Sequence, residues 1–355
     1  MTDTVTFEAQ GPIQKDKLFL GVAGLFAQKD GYIENTVTGD AVNDKEKWFG
    51  RGTLRWTPTM QFDLSLILSR LKFNDGAFNM TLGSNGAALY GLPAPQERQV
   101  SSNLEGSNDA GSNMQALKMT YDFSESLTLT SISSHRVYDD ECMLDYDFSS
   151  STLRHSRKDN QYRKISQEMR LNYAKNRLKW LLGVYYDDDH NDINYETESI
   201  YPTLAGVTSR DLEGDAYAVF GNISLPLTER LNIFSGLRYE KQNLSFRDNL
   251  DKRAFDDSWD AVSPRVGIEY HCVPDLMFYG SVSKGYRSGG FNMFAMDSRY
   301  YSYEPESLWN YEVGVKGDFF DHRLVVNGAL YYMDISDMAT ATTRYTMIRE
   351  KSAYR

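Results

Sequence analysis

Along most of this chain an apolar residue alternates with a small, polar or charged one. Tyr217, Val219, Gly221, Ile223 and Leu225 are interleaved with Ala218, Asn222 and Ser224, and Phe220 alone is out of phase. Tyr311, Val313, Val315 and Phe319 alternate with Glu312, Gly314, Lys316 and Asp318, as Met169, Leu171 and Tyr173 do with Glu168, Arg170 and Asn172. Phe62, Leu64, Leu66 and Leu68, then Leu117, Met119, Tyr121 and Phe123, then Val266, Ile268 and Tyr270 repeat the theme. A period of two sends successive side chains to opposite faces of a strand. A helical period would scatter the charges around the axis. The pattern therefore predicts an all-β chain of about fourteen strands.

The strands group into hairpins whose turns are short and rich in Pro, Asp, Asn or charge, at 11–16, 57–60, 124–126, 175–177, 226–230, 273–275 and 321–323. Between hairpins the connections are long and polar, the longest running from about 73 to 112 with Gly, Ser, Asn and Pro throughout. Short and long connections are thus expected to alternate without exception. A transmembrane antiparallel up-and-down β-barrel sorts its connections this way, with short periplasmic turns and long extracellular loops. A soluble sandwich has no reason to do so, and the irregular repeat does not suit propeller blades.

If the apolar face meets lipid, Glu168, Arg170, Arg238, Glu269, Glu312 and Lys316 must face the wet interior, because a charge in hydrocarbon costs several kcal/mol. Trp48, Trp56, Trp180, Tyr239, Tyr270 and Phe319 stand at strand ends, where amphipathic rings form interfacial girdles. The content of 24 Tyr and 18 Phe fits that arrangement. No run approaches the roughly 20 apolar residues of a membrane helix, and residues 1–10 lack a secretory leader pattern. A net charge of -11 without a basic stripe argues against a nucleic-acid partner. Cys142 and Cys272 fall at opposite ends of the expected barrel and are read as free thiols.

The segment 276–292, LMFYGSVSKGYRSGGFN, resembles a recognisable stretch of TonB-dependent outer-membrane receptors, a strand ending in Ser-Lys-Gly-Tyr-Arg-Ser-Gly-Gly-Phe-Asn. Residues 307–338, SLWNYEVGVKGDFFDHRLVVNGALYYMDISDM, resemble the family's next hairpin. Residues 166–173, 180–187 and 216–239 resemble earlier strands, and 11–13 with 30–33 the first hairpins, so the likeness covers nearly the whole chain in order. The resemblance implies a barrel of about twenty-two strands with an N-terminal plug. Residues 1–355 are accordingly expected to be a partial barrel domain, with the plug and the closing strands absent. It also implies a receptor in the outer membrane of a Gram-negative bacterium. Its partners would be lipid, an iron-siderophore or similar large nutrient, and the TonB complex acting through the plug. The alternative is a passive porin-like channel of fourteen strands.

The resemblance implies a ligand held at the extracellular mouth, without covalent chemistry or a resident cofactor. Aromatics grip the apolar surfaces of a chelate and Arg or Lys pairs with its anionic groups. The best local cluster is Arg287, Phe291, Phe294, Arg299, Tyr300, Tyr301 and Tyr303; the same residues could instead order the loop. The acidic runs 187–192 and 139–141 lack calcium-loop spacing and read as solvated loop entries. His135, His155, His190, His271 and His322 show no zinc spacing. No hydrolase or nucleotide motif is present, and Ser133, Ser134 and His135 sit on alternating faces of one strand. Gly289 and Gly290 are expected to let the strand bend at the rim.

Overall fold

The computed structural model describes residues 2–76, 81, 96–202, 205–292 and 300–338. In chain order its strands are β1 (Thr2–Gln14), β2 (Leu18–Lys29), β3 (Ile33–Asn35), β4 (Ala41–Val42), β5 (Lys45–Thr59), β6 (Phe62–Gly76) and β7 (Gln99–Val100). There follow β8 (Ser107–Ser124), β9 (Leu127–Asp145), β10 (Arg154–Lys175), β11 (Leu178–Ser199), β12 (Gly206–Pro226) and β13 (Leu231–Asp248). The last are β14 (Arg253–Val273), β15 (Leu276–Arg287), β16 (Gly290–Phe291), β17 (Ser302–Tyr303), β18 (Glu306–Phe319) and β19 (Leu324–Ser336). Fourteen of them form one antiparallel sheet in sequence order, and β3, β4, β7, β16 and β17 make two small sheets on its long-connection side. The sheet is open: β1 and β19 each have one neighbour, and every residue of both is exposed.

The apolar rows are on the surface rather than sealed between layers. Met169, Val184, Val219, Tyr239 and Val262 lie side by side across five strands, and Val219 is 61% exposed. Leu20, Leu54, Leu66 and Leu117 form a second such row. These rows also reveal the tilt of the wall. Trp48 packs on Phe26 at 4.3 Å near one rim, and Trp56 on Phe62 at 5.8 Å near the other. Followed rung by rung over seven strand steps, the row that starts at Trp56, three residues from the short-turn end of β5, arrives on β13 at Tyr239, which stands in mid-strand rather than at a strand end, eight residues above Leu231. The rungs thus climb away from the short-turn rim from β5 to β13, in keeping with the tilted strands a barrel requires. Trp48 and Trp56 are eight residues apart on β5, roughly 20 Å in height at the strand tilt usual for barrels, close to the apolar band of membrane barrels.

On the polar face three glycines lie directly opposite an aromatic ring: Gly183 beside Phe220, Gly267 beside Phe234 and Gly314 beside Tyr279. Each ring also carries a cation, from Arg238 at 5.4 Å, Arg265 at 5.0 Å and Lys316 at 5.5 Å. The ring covers backbone that a glycine leaves bare, which accounts for the out-of-phase Phe220. The inward charges pair along this face, Glu168 with Arg170, Arg238 with Glu240 and Glu312 with the Tyr279 hydroxyl. Among the described residues a polar cluster interrupts the apolar face. Gln167 bonds Ser131 and Ser133 there, and His135 meets Gln115, so these side chains satisfy one another.

Two expectations about connections are corrected. Residues 11–14 and 57–59 continue their strands, and the turns shrink to 15–17 and 60–61; Pro12 and Pro58 are absorbed at register shifts. Strict alternation of short and long connections also fails, because β13 and β14 are joined by residues 249–252 alone and β11 and β12 by 200–205. Polar sequence expected as loop instead lengthens the ladder, to 22 residues in β10 and β11. Charge pairing makes this possible. The basic upper half of β10 runs between the acidic runs of β9 and β11, joining Lys158 to Asp140 at 2.6 Å, Arg157 to Glu141 at 2.5 Å and Lys164 to Asp187 at 3.0 Å. The acidic runs are therefore strand segments, ion-paired at Asp140, Glu141, Asp187 and Asp192, and not loop entries. Cys142 and Cys272 are free.

Candidate ligand-binding site

At the long-connection rim, β13 and β14 turn aromatic side chains toward the polar face. Phe246 and Phe255 are cross-strand partners with rings 5.9 Å apart. Phe291, from the β16–β17 hairpin, lies 6.1 Å from Phe246, 6.0 Å from Phe255 and 6.2 Å from Trp259, while Tyr301 lies 5.1 Å from Phe255. Phe246 is 3% and Trp259 8% exposed, so the nest is closed. Its tightness explains Gly289: a Cβ there would meet the Tyr303 carbonyl at 2.5 Å and the Trp259 ring at 2.6 Å. Gly289 and Gly290 thus permit close approach; neither is among the described positive-φ glycines.

A charged knot stands beside the nest. Asp248 is buried and accepts from Arg210 at 3.3 Å and Arg253 at 3.0 Å, and from the Leu250 and Asp251 amides of the turn. Burial works to raise the Asp248 carboxyl, but the Asp251 amide and the two guanidinium groups together hold it below the ordinary carboxylate range. Arg253 also lies 5.3 Å over the Tyr301 ring. The knot fastens both the β13–β14 turn and one side of the hairpin.

The expected cluster is therefore divided. Phe291 and Tyr301 are inside the nest, whereas Tyr300 is 59% and Tyr303 39% exposed. Arg287 extends from the end of β15, its side chain 65% exposed and 4.0 Å from Glu306. Phe294 and Arg299 lie outside the described residues. Sequence reasoning missed Phe246, Phe255 and Trp259. The available signal was their phase, since they fall opposite to Tyr239 and Val262 in strands whose apolar residues otherwise keep to one face.

Two further features lie on the same rim. A cleft of about 380 Å³ between β3–β4 and the tops of β6, β8 and β9 is lined by Asp40, Asp44, Asp75, Glu105, Asp109 and Asp145. Nearby, Asp145, Asp147 and His155 bring ligand atoms within 4.8 Å of one another. Both carboxylates are already engaged, Asp145 by the amides of Asp147 and Phe148 and by Ser102, Asp147 by those of Ser149, Leu153 and Arg154. They close the loop between β9 and β10. Ser133, Ser134 and His135 bond separately to Gln167, Ser166 and Gln115, so they form no hydrolytic relay.

An open, antiparallel wall with exposed apolar rows and a folded rim defines part of a membrane-type β-barrel. The family model described as TonB dependent receptor-like, beta-barrel matches residues 50–352, and the chain belongs to that family. The ferric yersiniabactin uptake receptor FyuA of Yersinia pestis is similar with a TM-score of 0.80 at 19% identity, over 94% of this chain and 52% of that one. The siderophore receptor PiuA of Acinetobacter baumannii gives a TM-score of 0.76 at 12% identity, over 93% and 55%. In sequence, the metal-pseudopaline receptor CntO of Pseudomonas aeruginosa is 25% identical over 139 residues, 36% of this chain and 18% of that protein. The chain spans about half the length of the solved receptors it matches.

Proposed function

We propose that this chain is part of the wall of an outer-membrane receptor for active uptake of an iron-siderophore or similar metal chelate, with the plug and the remaining strands supplied by the rest of the receptor. Transport is powered by the TonB complex acting on the plug. The observation that carries this reading is the family match across residues 50–352, joined to a lipid-compatible apolar band below a folded, aromatic mouth. The proteins similar to it are named for ferric yersiniabactin, siderophore and metal-pseudopaline. At the mouth, Arg287, Tyr300 and Tyr303 present the exposed contact surface for an anionic, partly aromatic chelate, while Phe291 and Tyr301 anchor the hairpin. A passive fourteen-strand pore would pair β1 with β19, and these strands do not pair.

Uptake of radiolabelled iron chelates by cells carrying the complete receptor tests the reading. Uptake should vanish without TonB, and removal of Arg287 and Tyr303 should weaken chelate binding by roughly tenfold. Equal flux with and without TonB would establish the pore instead.

A further inference from the structure

Strand β14 is paired unequally on its two sides. Toward β13 it is bonded at all 18 positions of that strand, up to the pair Asp248 with Arg253. Toward β15 the ladder runs only from Val273 to Arg265 and then stops. The next residue is Pro264, which has no N–H to donate, and a proline inside a sheet belongs where pairing ends. Above it, residues 253–264 form an open backbone edge, and among the described residues no other element hydrogen-bonds to that side. The hairpin of β16 and β17 packs on the polar face through Trp259, not along the edge.

The height of the opening is informative. The ladder to β15 climbs eight residues, from Val273 at the short-turn rim to Arg265, the same span that separates Trp56 from Trp48 on β5, so it ends near the top of the apolar band. Within hydrocarbon an open edge would be prohibitively costly; above it, water solvates the free N–H and C=O groups. The edge carries Asp256 and Asp260 on the phase of Val262 and Asp257 on the phase of Trp259. Beside it, Asp188, Glu213 and Asp215 line a groove that Asp256 and Asp257 complete.

We infer that the open edge of β14 is a docking site for an extended, basic polypeptide segment, which adds as a strand and sets Lys or Arg against Asp256 and Asp260. Backbone pairing supplies the alignment, as in other strand-addition complexes, and opposite charges across the new rung supply the selectivity. The inference rests on the membrane reading only for its placement on the outer surface. Its partner is a polypeptide and not the transported chelate.

Amide exchange measured on the complete receptor in lipid nanodiscs tests it with two probe peptides of about ten residues, one alternating Lys with Val and the other Glu with Val. The Lys–Val probe should slow exchange across 254–263 by about tenfold or more, and the Glu–Val probe should not. Exchanging Asp256→Lys together with Asp260→Lys should reverse that preference. The idea is overturned if neither probe slows these amides, if both slow them equally, if slowing is confined to β1 and β19, or if the doubly substituted chain keeps the original preference. Quenching of Trp56 and Trp180 by brominated lipid checks the membrane placement separately, so its absence sinks that reading and leaves the edge result to be judged alone.

Discussion

The two seams of β14 make an instructive contrast. Its seam with β13 is continuous from the short-turn rim to the top of the wall, while its seam with β15 is closed only within the apolar band and open above it. One strand, with one sequence, thus obeys two rules. Inside the band every backbone group must be paired within the sheet. Above the band pairing is optional, and it persists only where side chains add to it. Toward β13 they do, through the Phe246 and Phe255 stack and the Asp248 knot; toward β15 Pro264 ends it.

If the knot closes the continuous seam, Asp248→Ala should have the largest local effect, about 3–5 kcal/mol, because it removes the carboxylate that Arg210 and Arg253 share in a buried setting. Exchange at 243–258 should accelerate while the lower rungs stay protected. Acid should imitate the substitution. The Asp248 carboxyl is held below its ordinary value of 3.8, so its contribution is complete above that value and disappears as pH falls through the lowered one. The top of the seam should therefore loosen only below about pH 4, and loosening nearer neutrality would assign closure to other groups.

Within the band both seams should be equally intolerant of charge. Val266 is 52% exposed on the apolar face, and Val266→Arg should cost about 2–4 kcal/mol in refolding titrations into lipid. A neutral result would remove the lipid from the explanation. Gly289→Val, which forces a side chain against Trp259, should cost about 1–3 kcal/mol. It should raise Trp259 fluorescence quenching by acrylamide without affecting the band. The smallest change is expected from Arg157→Ala: its pair with Glu141 is about half exposed on both sides, so the loss should stay under about 1 kcal/mol. A larger loss would mean that charge pairing, not backbone pairing, holds the upper ladder.

How far these seams were legible in the sequence follows the same boundary. Within the band the side-chain environment repeats with the strand period, so Met169, Val219 and Val266 declared their face and the fourteen-strand wall could be written down. Above the band both faces are wet, and alternation carries no information. The 187–192 run reads as loop on composition, yet Asp187 is held by Lys164 across the β10–β11 hairpin. Pairing of that kind is set by register, which a lone sequence does not display. At the mouth, Phe291 and Tyr301 were recognised as aromatic, but their burial depends on Phe246, Phe255 and Trp259 arriving from other strands. The same limit applies to Phe220, whose explanation is the bare Gly183 on its neighbour.

The climbing rungs have a practical consequence for anyone exchanging parts between such receptors. Trp56 and Tyr239 share a rung, yet Trp56 stands three residues from the short-turn end of β5 and Tyr239 eight residues above the short-turn end of β13. A chimera cut along hydrogen-bonded neighbours would splice the short-turn margin of one wall onto the middle of another. A graft that preserves depth has to be cut on the diagonal, stepping toward the short-turn rim from β5 to β13.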